Sequence, residues 1–574
     1  MNPISSLRGA AATRGPSPGS GSASFGATPN ISSIATENID ARDWMHCPPA
    51  EEMTHAAARA LGAAPITIGE AGENRPVSLT ERLGRDLWCD FISDTGDCAD
   101  VSEAVAAMLF SPYEVEGEEL PRGDILLFGG DTAYPVATEH EILNRVCAPF
   151  NRVLKDRDDG KPRVLMGIPG NHDWYDGLDG FARMFQARHG EIDEQLPEAE
   201  AERGGRIRHL VEWVEAFRVG RYVAKRGTLP LVGYRTVQNA SYFALHLAPR
   251  LDLWAIDRQL RTVDFRQQNY FAEERDREAE PRGHMMMIAD PAYAHLRPFA
   301  TGQATLRAVD VDLERDGPLV LTGDTHHYCR ETFGPATHVI AGGGGAFLHP
   351  ACIARNGLND PEAEFPGPRA SAALALQVPW QIAGGRAGFV VHVAIGLLYS
   401  LVLGFHWLSG GLFGSIAVAS AVVSIFATFA CAMIGGWRQK RATAIALLAL
   451  GAGVGIGGVP LVVQQALEAL LHDYVSPGYL LPLAFVVASY VGTLGFGTFL
   501  MLLTLLGLEQ HHAFSALAHP GYKHFVRLRV RRDGTGIDAW VFGKVDTLDP
   551  DAEVALVDRF SWENPHASSS FPDG

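Results

Sequence analysis

Val164-Leu165-Met166-Gly167-Ile168-Pro169-Gly170-Asn171-His172-Asp173 is the stretch on which the fold turns. An apolar run of this length, bounded by glycine and proline, reads as a buried strand. It stops at an amide, an imidazole and a carboxylate. The same grammar recurs three times. Leu87-Trp88-Cys89-Asp90-Phe91-Ile92-Ser93 runs into Asp94-Thr95-Gly96-Asp97, and Ile125-Leu126-Leu127-Phe128 into Gly129-Gly130-Asp131. Leu319-Val320-Leu321-Thr322 runs into Gly323-Asp324-Thr325-His326-His327. In an open α/β sheet, ligands collect at the carboxyl ends of the strands. Oxygen and imidazole donors gathered there suit divalent cations. The pattern points to metal-assisted hydrolysis.

The 574 residues leave room for two or more domains. A formal charge of −18 argues against a general nucleic-acid binder, because no strongly basic surface is available to replace counterions. The seven cysteines are scattered, with no C-x-x-C pair. That spacing reads as reduced thiols, not a disulfide framework or a zinc finger. Residues 1–40 are rich in Gly, Ser, Ala and Pro and lack an apolar stretch of signal-peptide length. They read as a disordered tail, with a transit peptide carrying Arg8 and Arg14 as the alternative.

Composition changes sharply near Pro379. Four apolar stretches follow, at residues 388–408, 412–435, 442–467 and 479–508. A bilayer core needs ~20 apolar residues per helix, so residues 386–508 read as four transmembrane helices. Trp437-Arg438-Gln439-Lys440-Arg441 lies in the second connection, and Lys523, Arg527, Arg529, Arg531 and Arg532 follow the fourth stretch. Basic flanks favour the cytoplasmic side. The expectation is an integral protein of the inner or plasma membrane, with the N-terminal domain and C-terminus in the cytoplasm. Gly451, Gly453, Gly455, Gly457 and Gly458 in the third stretch let helices approach closely, a route to homo-oligomers. The near absence of ionisable residues argues against a transporter.

Residues 509–550 read as a β-hairpin, with Phe525 to Val530 and Ile537 to Gly543 flanking a turn at Asp533-Gly534. It would pack on the N-terminal domain or touch anionic headgroups through its arginines. Residues 551–574 read as a tail. Ile207, Leu210, Val211, Val214 and Phe217 fall at helical spacing, as an amphipathic helix over the site or a sheet edge.

Two cations ~3.5–4 Å apart can clamp a phosphoryl group, and they need a shared ligand. Asp131, exposed by the turn at Gly129-Gly130, suits that bridge. Asn171 offers a neutral carbonyl oxygen to one metal. His172 would face the substrate and protonate a leaving oxygen, with Asp173 orienting it through the other ring nitrogen. The glycine run Gly342 to Gly345 follows a strand and would either present N–H groups to an anion or form a flexible turn.

Gly130-Asp131 and Gly170-Asn171-His172-Asp173 resemble the motifs of the calcineurin-like metallophosphoesterase family, and the resemblance covers roughly residues 85–350. The family pattern is D-x-H, G-D-x-x, G-N-H-[DE], a lone His, then G-H-x-H. The resemblance implies an α/β fold, a two-sheet sandwich flanked by helices, within a catalytic domain of residues 41–378. It implies Asp131 as bridging ligand, Asn171 as ligand of the second metal, and His172 near the leaving oxygen, with Asp94 and His326 also on the metals. The sequence departs from the pattern at three places. Gly96 stands where a histidine would ligate, and Asp97 is the nearest substitute. Asp324 replaces the first histidine of the last motif, while His326 keeps the second. Asp290, after Met285-Met286-Met287-Ile288-Ala289, stands for the lone histidine. A site so rich in carboxylates favours Mn²⁺ or Mg²⁺, with iron and zinc as alternatives. The expectation is a membrane-anchored phosphoesterase that cleaves a phosphomonoester or phosphodiester through attack of a metal-bound hydroxide. The alternative is a catalytically degenerate domain that binds a ligand or signals through the membrane segment.

Overall fold

A computed structural model describes residues 47–64, 77–187, 228–260, 262–277, 280–355, 358–385, 389–409, 447–448, 451–453, 456–471, 473–508, 512–515, 517 and 519–567. The four motif-bearing runs are strands. In chain order the first strands are β1 (Leu87–Ile92), the short pair β2 (Tyr113–Val115) and β3 (Glu118–Leu120), β4 (Ile125–Phe128), β5 (Arg163–Gly167) and β6 (Tyr234–Thr236). Then come β7 (Phe243–Ala248), β8 (Leu251–Ile256), β9 (Gly283–Ile288) and the small pair β10 (Tyr293–Ala294) and β11 (Arg297–Pro298). They are followed by β12 (Leu319–Thr322), β13 (Tyr328–Phe333), β14 (Ala336–Ala341) and β15 (Ala363–Phe365). Beyond the helical segment lie β16 (Lys523–Val530), β17 (Gly536–Lys544) and β18 (Ala555–Glu563).

Two seven-stranded sheets result, in the orders β18-β17-β16-β1-β4-β5-β6 and β15-β13-β14-β12-β9-β8-β7. Strands β1, β4, β5 and β6 run parallel, as do β8, β9, β12 and β14. Side chains alternate between the faces of a strand, and the burial follows that period. Leu87, Cys89 and Phe91 of β1, with Ile125 and Leu127 of β4, pack in one core with Leu253, Met285, Met287 and Leu321 of the second sheet. Leu126, Phe128 and Leu165 point the other way, under helices Ala99–Leu109, Ala148–Asp156 and Asp179–Phe185. The protein is a mixed α/β structure of two large sheets with helices.

The folded unit does not end at residue 378. β16 pairs antiparallel with β1, setting Asp90 beside Arg527 and Phe91 beside Val526. Val526, Leu528 and Val530 are fully buried in the inter-sheet core. The stretch after residue 551 is not a plain tail, because it supplies β18 against β17. The hairpin arginines are taken up by carboxylates. Arg527 Nε lies 2.7 Å from Asp90, and both side chains are buried. Arg529 and Arg531 each reach Asp538 at 2.7 Å.

The four-helix bundle is not what the structure supports. Among the described residues one helix, Pro482–Leu505, is long and apolar enough to cross a membrane. Within Val390–Ser409 the part Val390–Ser400 is a shorter apolar helix, as is Val459–Leu471. Of the third stretch, residues 447–448, 451–453 and 456–457 are helical, and a turn at Gly458 precedes the helix Val459–Leu471. The second stretch and the connection at 437–441 lie outside the described residues, as do residues 1–40, the segment 207–217 and the end from 568.

Candidate functional site

Register brings the motifs level. Ile92 of β1 sits beside Phe128 of β4, and Phe128 beside Gly167 of β5. On the second sheet Ile256, Ile288 and Thr322 are level across β8, β9 and β12. Loops leaving these carboxyl ends meet between the sheets. The fit is close enough to require glycine at Gly323, where a Cβ would stand 2.5 Å from Asp94 Oδ2. Asp94, Asp131 and Asp324 all adopt left-handed backbone, with φ of 59°, 48° and 60°. Such angles are uncommon outside glycine, and strained backbone is concentrated at working sites.

The centre of the site is the Tyr134 hydroxyl. It donates to Asp94 Oδ1 at 2.8 Å, lies 3.3 Å from Asp131 Oδ2, and contacts His326 Nε2 at 2.9 Å. His326 Nε2 is itself 3.3 Å from Asp94 Oδ1. The other ring nitrogen, Nδ1, is 2.7 Å from the Phe347 carbonyl. A carbonyl only accepts, so Nδ1 carries a hydrogen. Metal-ligating histidines are oriented this way. Asp94 Oδ2 accepts from Ser93 Oγ at 2.7 Å and from the Asp324 N–H at 3.0 Å. Asp131 Oδ1 accepts from the His172 N–H at 2.8 Å.

His172 is half-buried, with its ring 4.3 Å from that of Tyr134. Its Nδ1 lies 2.6 Å from the Pro135 carbonyl, which leaves Nε2 as the nitrogen able to exchange a proton. Burial holds its pKa below the usual value. Asp173, expected to orient His172, does something else. Its carboxylate accepts from the N–H groups of Gly170 and Thr132, at 2.9 and 3.2 Å. It caps the turn Asn171–Trp174 and pins it to the Asp131 loop. The Pro135 carbonyl is the group that orients His172. Burial pushes the Asp173 carboxyl up to about 6.

The remaining expected residues are dispersed around this centre. The Asn171 amide donates to Tyr175 Oη at 3.0 Å, one residue from the His172 N–H that holds Asp131. Asp97 is half-buried; its main-chain carbonyl accepts from Arg145, and its charge acts on Lys523 and His172. Asp290 pairs with Arg258, at 2.6 Å, and with Thr301 Oγ1. His327 is buried and stacks on His295. In the glycine run, the N–H groups of Gly344 and Ala346 are spent on the Ser93 and Asp94 carbonyls. Those two groups serve packing, not an anion.

Charge is concentrated here. Burial raises Asp131 well above the ordinary carboxylate range, and Asp94, Asp173 and Asp324 add to it. Burial, then Asp290 and Asp94, raise Asp324 likewise. Tyr134 is raised by burial and by Asp131 and Asp94. Among the described residues no three His, Cys, Asp or Glu side chains meet metal-holding geometry by themselves; the Tyr134 hydroxyl stands in their midst. Taken with it, Asp94, Asp131 and His326 make three oxygens and one imidazole, a donor set that fits a hard or borderline cation. Clustered, desolvated acids of this kind mark functional sites.

Three residues of the site were not read from the sequence. Tyr134 is signalled only by its place three residues after Asp131, and a phenol is an infrequent ligand. Arg258 follows β8 by two residues, as Asp290 follows β9. Lys523 comes from the far end of the chain. It is buried, its Nζ donates to the Ala346 carbonyl, and burial lowers its pKa to about 8 against the pull of Asp97 and Asp94.

No known family profile matches the chain, and no curated protein matches it. Among solved structures it is similar to GAP50, the anchor in the inner membrane complex of Plasmodium. That alignment covers 46% of this chain and 75% of that one, at 10% identity and a TM-score of 0.27. It is also similar to PhoD, over 46% of this chain and 58% of that one, at 12% identity and a TM-score of 0.20. Likeness at these scores places no residue, so the site rests on its own geometry.

Proposed function

We propose that the chain is a membrane-anchored, divalent-cation-dependent hydrolase of phosphoric esters. The convergence of Asp94, Asp131 and His326 on the Tyr134 hydroxyl, with the His172 ring against the same tyrosine, carries this reading. When bound, a divalent cation such as Mn²⁺ or Mg²⁺ supplies Lewis acidity and a lowered pKa for water. Asp94 and Asp131 would balance its charge. His326 would offer Nε2, held in place by the Phe347 carbonyl. His172, fixed by the Pro135 carbonyl, would pass a proton to the departing alcohol oxygen. The helix Pro482–Leu505 is the candidate anchor.

Full-length protein in detergent, assayed with chromogenic phosphomonoesters and phosphodiesters, tests this. Turnover is expected only with a divalent cation. H172A should lower kcat by about 10²-fold or more, and D131N should lose both turnover and bound metal. The Asp290–Arg258 pair favours a second reading, in which the domain binds a ligand or signals without turnover. Folded protein inert with every divalent cation and both ester classes would establish that reading instead.

A further inference from the structure

The second sheet ends in a second charged group. β8, β9 and β12 are neighbouring parallel strands with Ile256, Ile288 and Thr322 level. Two residues beyond each level position stand Arg258, Asp290 and Asp324. Register alone therefore places a cation beside Asp290, and Asp290 beside Asp324, the two acids that the family resemblance assigns to metal. Arg258 Nε lies 2.6 Å from Asp290 Oδ1. Arg258 is 9% exposed and Asp290 3%. The contact is an ion pair by distance, but its angles are poor for a hydrogen bond. Arg258 Nε has no hydrogen-bond partner, nor does Asp290 Oδ1. A buried guanidinium whose N–H finds no acceptor is poised for one more oxygen.

A guanidinium keeps its charge at any ordinary pH. A divalent ion seated on Asp290 would lie against that fixed positive charge, or would have to displace Arg258 from Asp290. We propose that Arg258 is the resident cation of the second position. The site then takes one divalent ion, on the side of Asp94, Asp131, His326 and Tyr134, and Arg258 supplies the other positive charge. Its guanidinium donates to a phosphoryl oxygen of the ester, where a planar fork is well matched to phosphate. Asp290 and Thr301 position the guanidinium. This rests on the hydrolase reading above, and it names the group that holds the phosphoryl oxygen away from the metal.

The test is metal stoichiometry and phosphate affinity on full-length protein in detergent. The protein is loaded with Mn²⁺, freed of loosely held ion, and analysed for metal per chain. The expected result is one ion in the natural protein and a second weak site in R258Q, where Asp290 and Asp324 are released. With Mn²⁺ limited to one equivalent, inorganic phosphate should bind about tenfold more weakly to R258Q. R258K, which keeps the charge but loses the fork, should still hold one ion. Two tightly held ions in the natural protein overturn the inference and leave the hydrolase reading standing. An unchanged phosphate affinity in folded R258Q also overturns it. If R258Q does not fold, the natural protein's stoichiometry and R258K decide. No bound ion together with no turnover sinks the hydrolase reading, and this inference with it.

Discussion

At the scale of single residues, the site is built from acids held where acids are uncomfortable. Asp324 has left-handed backbone, and burial and two neighbouring carboxylates raise its pKa. A raised folded-state pKa means that the folded form binds the proton more tightly. Stability from this group is full below the unfolded value and is lost as pH climbs through the folded one. In chelator-treated protein, D324N should remove that loss, since asparagine tolerates the same backbone and carries no charge. Urea unfolding from pH 4 to 9 should show a flatter profile for the variant. His338 titrates with the opposite sign. It is fully buried, its Nε2 accepts from the Ala292 N–H at 3.1 Å, and burial lowers its pKa to about 3. Its contribution is present above 6.5 and lost as pH falls toward 3. H338Q should flatten the acid limb, and a variant as acid-sensitive as the parent would count against a neutral His338. Residues of the site were legible in the sequence where strand and donor are adjacent. Asp94, Asp131, His172 and His326 follow their strands within a few positions. Tyr134 and Arg258 follow strands too, but their side chains are more often structural than functional, so only geometry singles them out. Asp173 was misassigned because adjacency to His172 suggested contact, whereas the turn aims its carboxylate at backbone N–H groups.

At the scale of elements, the decisive junction is β1 with β16. Arg527 Nε binds Asp90, and its other nitrogens donate to the carbonyls of Leu109, Ser111 and Leu120. A buried ion pair is dangerous to halve. Removing one partner strands a desolvated charge, at a cost of about 3–5 kcal/mol, while replacing both with apolar groups is often near neutral. R527M and D90N should each lower the denaturant midpoint sharply, and R527M/D90L should recover much of the loss. A double variant no better than the singles would mean that the carbonyl contacts, not the pair, hold this junction. The hairpin of β16 and β17 was readable from local alternation and the glycine turn. β18 was not, because Asp558-Arg559 interrupts its alternation. Besides the Arg559 N–H at 2.8 Å, Asp558 is held across the molecule by Tyr328 Oη and Arg330 Nε of β13, each at 2.7 Å. Such long-range partners leave no trace in a local window.

At the scale of the whole molecule, one sheet contains strands from both sides of the apolar segment. Phe365, whose ring lies 5.0 Å from that of Tyr522, and Lys523 therefore lie on the same face of any bilayer, and the chain between them crosses an even number of times. If the helix Pro482–Leu505 crosses, another segment crosses back. Epitope tags placed before residue 47 and after residue 567 should be reached by antibody from the same side of sealed vesicles. Tags on opposite faces would break the sheet and refute the topology. The sequence announced an apolar segment but not that it interrupts a domain, since hydropathy says nothing of which strands pair across it. That interruption sets a timetable. Asp90 leaves the ribosome 437 residues before Arg527, an interval of roughly 20–90 s at ordinary elongation rates. Throughout it, the edge of β1 stands open, the kind of edge that recruits wrong partners. Translation must therefore deliver the apolar segment to its destination before the first half can mature, and a premature stop in that segment yields an open-edged fragment, not a soluble enzyme.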